Sequence, residues 1–203
     1  MTGFLREHMK NNLVGQDGGH VQHGTAAKRT DDMTTIPARA VPILMYHQVA
    51  PQSLPAFRKY TVTPKAFAAQ MRWLALAGYV PIMLDDLLAA RSGGSGCLPS
   101  RPVIITFDDG FQDCVDYAVP ILQARGFRAI FYLVAGLMGR VSEWLITERG
   151  IELALIDWAT ARRLEAAGFQ CGAHSLSHPH LANLDVAACR IELYESRRLL
   201  EDR

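Results

Sequence analysis

The stretch Ile104-Ile105-Thr106-Phe107-Asp108-Asp109-Gly110 decides the fold class and supplies the first candidate site residues. Its apolar run predicts a buried strand over residues 103–107, and a helical pattern follows the glycine. A buried strand that leads into a helix is typical of parallel sheets, whose active sites lie at the carboxyl ends of the strands. Asp108 and Asp109 come directly after such a strand, so both are candidate functional residues.

A second cluster, His174-Ser175-Leu176-Ser177-His178-Pro179, carries two histidines four residues apart. It follows a short apolar segment, residues 169–173, which predicts another strand. Pro179 disfavours the α-helical region at the residue before it, so we expect the histidine pair on a loop or single turn rather than on a helix face.

Together, the two clusters predict a metal site. Imidazole nitrogen and carboxylate oxygen are both ligands of zinc, and a catalytic zinc site keeps one position open for water. Asp109, His174 and His178 are the predicted ligands of a divalent ion, most simply zinc. Asp108 is then free to act as the general base that takes a proton from a water activated by the ion.

Plainer interpretations exist for each cluster alone. An Asp-Asp-Gly sequence after a strand is often a turn with a helix cap, and histidines are common on surfaces. Cys171 could be a further ligand or a small buried hydrophobic residue. His47, at the end of a predicted first strand over 41–47, could be a hydrogen-bonded core residue or could line the site. The two clusters favour the metal site because both end predicted parallel strands.

The rest of the chain alternates strands and helices, which predicts an α/β fold with a parallel sheet or barrel. Thr63-Pro64 indicates a helix start, and Gly78 its end. The further predicted elements are a strand over 79–83, a helix over 84–90, a helix over 113–125, a strand over 128–134, a long connection through Trp144, a helix over 157–167 and an amphipathic helix over 185–203.

Composition narrows the class of protein. A net charge of +1, with 49% hydrophobic and 20% charged residues, indicates a globular protein and no nucleic-acid partner. The sequence shows neither a transmembrane run nor a secretory signal, which predicts a cytoplasmic protein, and it does not indicate an oligomeric state. Residues 1–40 are polar and predict a flexible leader, and residues 41–203 predict the folded domain. The four scattered cysteines form no disulfide framework and predict small buried hydrophobic residues or free thiols.

The two clusters resemble the first two signature motifs of the polysaccharide deacetylases, carbohydrate esterase family 4, which share the nodulation-protein-B (NodB) homology domain. The segments Pro42-Ile43-Leu44-Met45-Tyr46-His47 and Gln70-Met71-Arg72-Trp73-Leu74 are similar to the branch that deacetylates poly-β-1,6-N-acetylglucosamine. The resemblance implies a distorted (β/α) barrel. It also implies a metal-dependent hydrolase of carbon–nitrogen bonds other than peptide bonds, which removes acetyl groups from an N-acetylated polysaccharide or oligosaccharide.

By the same resemblance, Asp108 is the general base, and Asp109, His174 and His178 bind zinc or a similar divalent ion. Family members are often secreted, periplasmic or associated with the cell envelope, in contrast to the cytoplasmic prediction. Two alternatives remain: a related hydrolase of a non-sugar amide or cyclic ureide, and a non-catalytic remnant that binds metal or glycan.

The sequence departs from the family after the second motif. The family's Arg/Pro/aromatic groove motif, its later Asp motif and its Leu-x-x-His general acid are not found up to Arg203. Residues 41–203 are also fewer than the ~250 typical of such a barrel. The expectation is therefore the N-terminal portion of the domain, a barrel incomplete at its C-terminus, with activity in question.

Overall fold

A parallel sheet of five strands forms the frame of the computed structural model. Its strands are β1 (Ile43–Tyr46), β4 (Val80–Pro81), β5 (Pro102–Phe107), β6 (Ile130–Leu133) and β7 (Gln170–Ala173). The order is β1-β5-β6-β7, and β4 pairs with the first residues of β5. Two further short strands, β2 (Gln48–Val49) and β3 (Thr61–Val62), pair with each other, also in parallel. The predicted α/β class with a parallel sheet is confirmed.

The structure describes residues 40–92 and 97–203, and residues 40–203 form one compact unit. The predicted flexible leader, residues 1–40, lies outside the described residues except for Ala40. Among the helices of the described ranges, none is long and apolar enough to span a bilayer.

Strand β5 lies at the centre of the sheet, and all six of its residues are buried. Its mostly apolar sequence, in which Thr106 is the one polar residue, reflects this position, because a central parallel strand is covered on both faces. Phe107 at its end stacks on Phe131 of β6, with ring centroids 4.8 Å apart, and Phe67 packs against the Phe107 ring. The hydrophobic core therefore extends to the end of β5 that is followed by Asp108 and Asp109.

Within the described residues, six α-helices connect or follow the strands: α1 (Pro64–Leu76), α2 (Leu84–Arg91), α3 (Val119–Gln123), α4 (Glu143–Arg149), α5 (Trp158–Ala166) and α6 (Val186–Glu201). The predicted start of α1 is confirmed, because the Thr63 hydroxyl accepts a hydrogen bond from the Ala66 N–H at 3.3 Å. Asp157 and Asp185 cap α5 and α6 in the same way. Three short 3₁₀ turns lie at Pro55–Tyr60, Ala135–Leu137 and Leu181–Asn183.

The helix predicted over 113–125 begins instead with a π-helical segment, Cys114–Ala118, before α3. The Val119 N–H reaches back five residues to the Cys114 carbonyl. Pro120 explains the change, since it has no N–H to donate and its ring would clash with the carbonyl four residues earlier in a regular α-helix.

Two other predictions need correction. Helix α4 lies in the stretch predicted as a connection, and the strand predicted over 79–83 is only two residues long. Helix α6 is present, but three of the apolar side chains that predicted it are largely exposed: Val186 (78%), Ile191 (58%) and Tyr194 (64%).

Candidate metal centre and active site

The two sequence clusters directly follow β5 and β7, so they lie at the same edge of the sheet. These two strands are separated only by β6, and all three strands run in parallel. The His174 N–H donates to the Leu133 carbonyl at the end of β6 at 2.8 Å, and the Asp108 N–H donates to the Tyr46 carbonyl at the end of β1 at 2.9 Å. The clusters, 66 positions apart in sequence as counted from Asp108 to His174, are therefore neighbours because of strand order.

The three predicted ligands converge on one point. Asp109 Oδ1 lies 3.3 Å from His174 Nε2 and 3.2 Å from His178 Nε2. The ligand atoms of all three residues lie within 4.8 Å of one another. The Asp109 side chain is only 5% exposed, whereas the histidine side chains are about one third exposed, at 32% and 29%. The cluster is thus anchored by a buried carboxylate and open on the histidine side.

The backbone around these ligands is unusual. Asp109, Ser175 and His178 adopt left-handed conformations, with φ of 73°, 64° and 62°. Such a conformation costs a non-glycine residue on the order of 1–3 kcal/mol and persists only where the surroundings enforce it. Pro179 excluded a helix at His178, and the loop prediction is confirmed. Strain at two of the three ligands marks the cluster as a functional candidate.

The electrostatics of the cluster favour an ionised carboxylate. Burial by itself would raise the pKa of Asp109, but the imidazoles of His174 and His178, whose Nε2 atoms lie within 3.3 Å of Oδ1, outweigh burial and lower the pKa to about 2. For His174, burial opposes protonation, but the neighbouring Asp109 carboxylate prevails, so the pKa of His174 is raised.

The donor set fits a divalent metal ion. Asp109 Oδ1 is buried, and no hydrogen-bond donor in the described residues is aligned with it, although two imidazole nitrogens lie within 3.3 Å. A divalent ion held by Asp109, His174 and His178 would account for the close approach of these polar atoms, because each residue could offer it a lone pair. Two imidazoles and one carboxylate are suitable zinc ligands. In the ranges that the structure describes, this is the one cluster of three such ligands.

Asp108 faces a different space from Asp109. It lines a cavity of about 320 Å³ together with Thr106, Tyr132 and His174. Burial raises the pKa of Asp108, although the neighbouring His174 and His47 lower it in part. Adjacent carboxylates thus have opposite pKa shifts, which is the pattern of two groups with separate roles.

A second cavity, of about 170 Å³, opens over the three ligands. Its wall includes His47, so the interpretation of His47 as a lining residue is supported over that of a core residue. Trp144 of α4 stacks on the His178 ring with centroids 4.3 Å apart and an angle of 25°. The other lining residues are Phe57, Tyr60, Leu145, Glu148, Arg149 and His180. His180 Nε2 lies 3.2 Å from Glu148 Oε1.

Sequence reasoning did not identify Trp144, Glu148 or Arg149 as site residues. They lie on α4, which was predicted as a connection, and a seven-residue helix is too short to show a clear period. Cys171 was left open as a ligand, but it is not in the converging cluster. Its sulfur faces the Ala161 carbonyl at 3.8 Å, and burial raises the pKa of its thiol to about 12. All four cysteines are free thiols, as predicted.

The stability of the metal-free protein should depend on pH through this cluster. The pKa of Asp109 lies below its ordinary 3.8, so its contribution is complete above pH 3.8 and is lost as the pH falls toward 2. The pKa of His174 lies above 6.5, so its contribution is complete below pH 6.5 and is lost as the pH rises through the folded-state pKa. The lowered pKa of Asp109 corresponds to a contribution of roughly 2 kcal/mol to the free energy of unfolding.

Urea unfolding of metal-free wild type and Asp109→Asn across pH 2–9 measures this contribution. We expect the difference in unfolding free energy to be largest between about pH 4 and 6.5 and to shrink on both sides. Asp116→Asn, which changes an exposed carboxylate on the following helical segment, is the control. A difference that does not vary with pH would contradict the ion pairing.

Comparison with protein-family models matches residues 95–203 to the polysaccharide deacetylase family. The chain is 27% identical over 184 residues to YxkH from Bacillus subtilis (strain 168), a protein assigned to the polysaccharide deacetylases; the match covers 86% of this chain and 58% of YxkH. It is also 36% identical over 74 residues to the poly-beta-1,6-N-acetyl-D-glucosamine N-deacetylase of Escherichia coli (strain K12), covering 36% of this chain and 11% of that enzyme. The chain thus spans less than two thirds of the length of either relative.

Solved structures show the same fold. The Streptococcus pyogenes deacetylase PplD, in complex with acetate, superposes with a TM-score of 0.66 at 22% identity, covering 80% of this chain and 68% of that one. IcaB from Ammonifex degensii superposes with a TM-score of 0.63 at 22% identity, with the same coverage. The family match spans more than half of the chain and includes both sequence clusters. By sequence and by fold, this chain belongs to the polysaccharide deacetylase family, as its paired motifs predict.

Proposed function

We propose that this protein is a metal-dependent deacetylase that hydrolyses the acetamide group of an N-acetylated polysaccharide or oligosaccharide. The observation that carries the proposal is the convergence of Asp109, His174 and His178 within 4.8 Å, with a separate carboxylate, Asp108, on the adjacent residue. Residues 41–203 are the proposed deacetylase domain, and they contain every residue that the proposal uses.

Asp109, His174 and His178 would hold the metal ion, for which zinc is the proposed identity because its preferred ligands match this set. When bound, the ion supplies a Lewis acid that polarises the acetyl carbonyl and lowers the pKa of a water. The chain's own contribution is a rigid set of ligands. The buried Asp109 stays ionised because its pKa is about 2, and Trp144 fixes the plane of the His178 ring by stacking.

Asp108 is the proposed general base. It is next to a ligand but faces the neighbouring cavity, so its carboxylate is free to accept a proton. In the metal-free chain, burial raises the pKa of Asp108. His174 lines both cavities, so the proposed base and the proposed ligands lie on two cavities that share this residue.

The cavity over the ligands suits a sugar. Tyr60 and Trp144 provide aromatic surface, and Glu148 and Arg149 provide an acceptor and donors at the same wall. An apolar surface with a few polar groups can bind the ring face and the hydroxyl groups of a hexose. The similarity to an enzyme named for poly-beta-1,6-N-acetyl-D-glucosamine supports a β-1,6-linked N-acetylglucosamine polymer as the substrate.

The test is release of acetate by the purified chain. Metal-free protein is supplied with Zn²⁺ and with β-1,6-linked or β-1,4-linked N-acetylglucosamine oligomers, and acetate and free amine are measured together. We expect equal amounts of both products, dependence on the added ion, and faster turnover of the β-1,6 oligomers.

Other outcomes of the same assay would change the assignment. Binding of Zn²⁺ and oligomer without acetate release would favour a non-catalytic binding protein. Turnover of a simple amide or cyclic ureide in preference to both oligomers would favour a non-sugar hydrolase.

A further inference from the structure

The loop between the two histidines is held by a carboxylate from a distant helix. Glu192 of α6 accepts hydrogen bonds from the backbone N–H groups of Leu176 and Ser177, both to Oε2, at 2.8 and 2.9 Å. Its other oxygen, Oε1, accepts a hydrogen bond from the Ser177 hydroxyl at 2.6 Å. One side chain therefore satisfies three donors in the segment that joins His174 to His178.

The shape of the loop explains why one anion can do this. Ser175 is left-handed, with φ of 64°, and the two residues after it direct successive N–H groups to the same side. Successive N–H groups in such a turn form a concave anion-binding arrangement. Here the anion is the protein's own Glu192 carboxylate.

The opposite edge of the loop is bound by the backbone after β6. The carbonyls of Ser175 and Leu176 accept from the N–H groups of Ala135 and Gly136 at 3.2 and 2.8 Å. A Cβ at Gly136 would lie 2.5 Å from the Leu176 carbonyl oxygen, so only glycine permits this approach. Inside the loop, the His178 N–H donates to the Ser175 hydroxyl at 3.0 Å. With Glu192 on the other side, the loop has little freedom left.

Glu192 differs from the other acidic residues of its helix. Glu195 and Glu201 pair with Arg198 and Arg197 on the surface of α6. Within the described residues, no lysine, arginine or histidine forms an ion pair with Glu192. Its negative charge is directed to the histidine loop alone, and hydrogen bonds to a charged acceptor are stronger than those between neutral groups.

We infer that Glu192 is a positioning residue for the metal centre: it holds the loop in the conformation that brings His174 and His178 to Asp109. The inference rests on the proposed function, because it assigns a role in the geometry of the same metal site. It follows that the position of α6 affects the geometry of the metal centre, although this helix contributes no ligand to it.

Three variants of the full chain test the inference with Zn²⁺ alone as the probe. Glu192→Ala removes all three hydrogen bonds, and we expect Zn²⁺ affinity, measured by competition with a chromophoric chelator, to fall about 10- to 100-fold. Glu192→Gln can keep the geometry, since its carbonyl can accept both N–H groups and its amide can donate to the Ser177 hydroxyl, so we expect a loss of less than about tenfold. Glu195→Ala removes a carboxylate from the same helix and should leave the affinity unchanged.

A measurement on the metal-free protein separates the loop from the metal. The amides of Leu176 and Ser177 should be protected from hydrogen exchange in wild type and Glu192→Gln. In Glu192→Ala they should exchange fast, while the amides of the sheet strands stay protected. Unchanged protection in Glu192→Ala, or unchanged Zn²⁺ affinity, would overturn the inference. If wild type bound no Zn²⁺, the proposed metal site would be contradicted instead, and exchange would still decide whether Glu192 orders the loop.

Discussion

Asp109→Ala is expected to abolish stoichiometric binding of Zn²⁺, with a loss of affinity well above the ~100-fold upper range for residues that only support a ligand. Asp109 supplies the one carboxylate of the cluster and is its most buried member. Its removal leaves two imidazoles with no third ligand. The measurement is zinc content per chain after dialysis, together with a chelator competition titration.

Two further variants make this result specific. Alanine at this position would also have to adopt φ of 73°, which costs about 1–2 kcal/mol, whereas asparagine tolerates the left-handed region. Asp109→Asn therefore separates loss of the ligand charge from backbone strain, and we expect it to lose affinity as well. Asp116→Ala, which removes an exposed carboxylate, should bind Zn²⁺ as wild type does. One tightly bound zinc per chain in both Asp109 variants would refute the proposed ligand set.

Asp108→Asn is expected to lower the deacetylation rate about 10²- to 10⁴-fold while Zn²⁺ binding is preserved, because the amide keeps the shape of the side chain but cannot take a proton. The prediction applies to protein that releases acetate in the assay above. It depends on the separation seen in the structure, where Asp109 converges with the histidines and Asp108 lines the neighbouring cavity.

The pH dependence gives a second measurement for the same residue. As the proposed base, Asp108 should account for the acidic limb of the wild-type profile for kcat/KM, because it must be ionised to accept a proton. Residual activity of Asp108→Asn should lack that limb. Normal turnover in Asp108→Asn would show that Asp108 is not the base. Loss of zinc from this variant would show that Asp108 is itself a ligand.

Much of this architecture could be predicted from local patterns. The strand at 103–107 was recognisable from its mostly apolar run, because a strand covered on both faces does not alternate between apolar and polar residues. The start of α1 was recognisable from Thr63-Pro64, since capping depends on residues that are adjacent in sequence. The ligand types were recognisable for a similar reason: zinc chemistry restricts them to a few side chains.

The parts that were missed depend on contacts between distant segments. The apolar residues of α6 predicted a packed face, yet Val186, Ile191 and Tyr194 are largely exposed. The helix packs against the rest of the domain with a different face. The residue that fixes it to the site, Glu192, is an ordinary polar residue in the helical pattern. Trp144 gave no signal either, because its stacking on His178 joins segments that are far apart in sequence.

The sequence by itself determined the class of fold, the chemical types of the proposed metal ligands and the absence of a helix at His178, because strand burial, ligand chemistry and the proline effect all act within a few residues. The tertiary structure alone decided that Asp109 meets both histidines, that Asp108 faces another cavity, that Glu192 accepts hydrogen bonds from the histidine loop, and that Trp144 stacks on His178. Those relations depend on strand order and helix packing, which join residues through space, and no local spacing encodes them.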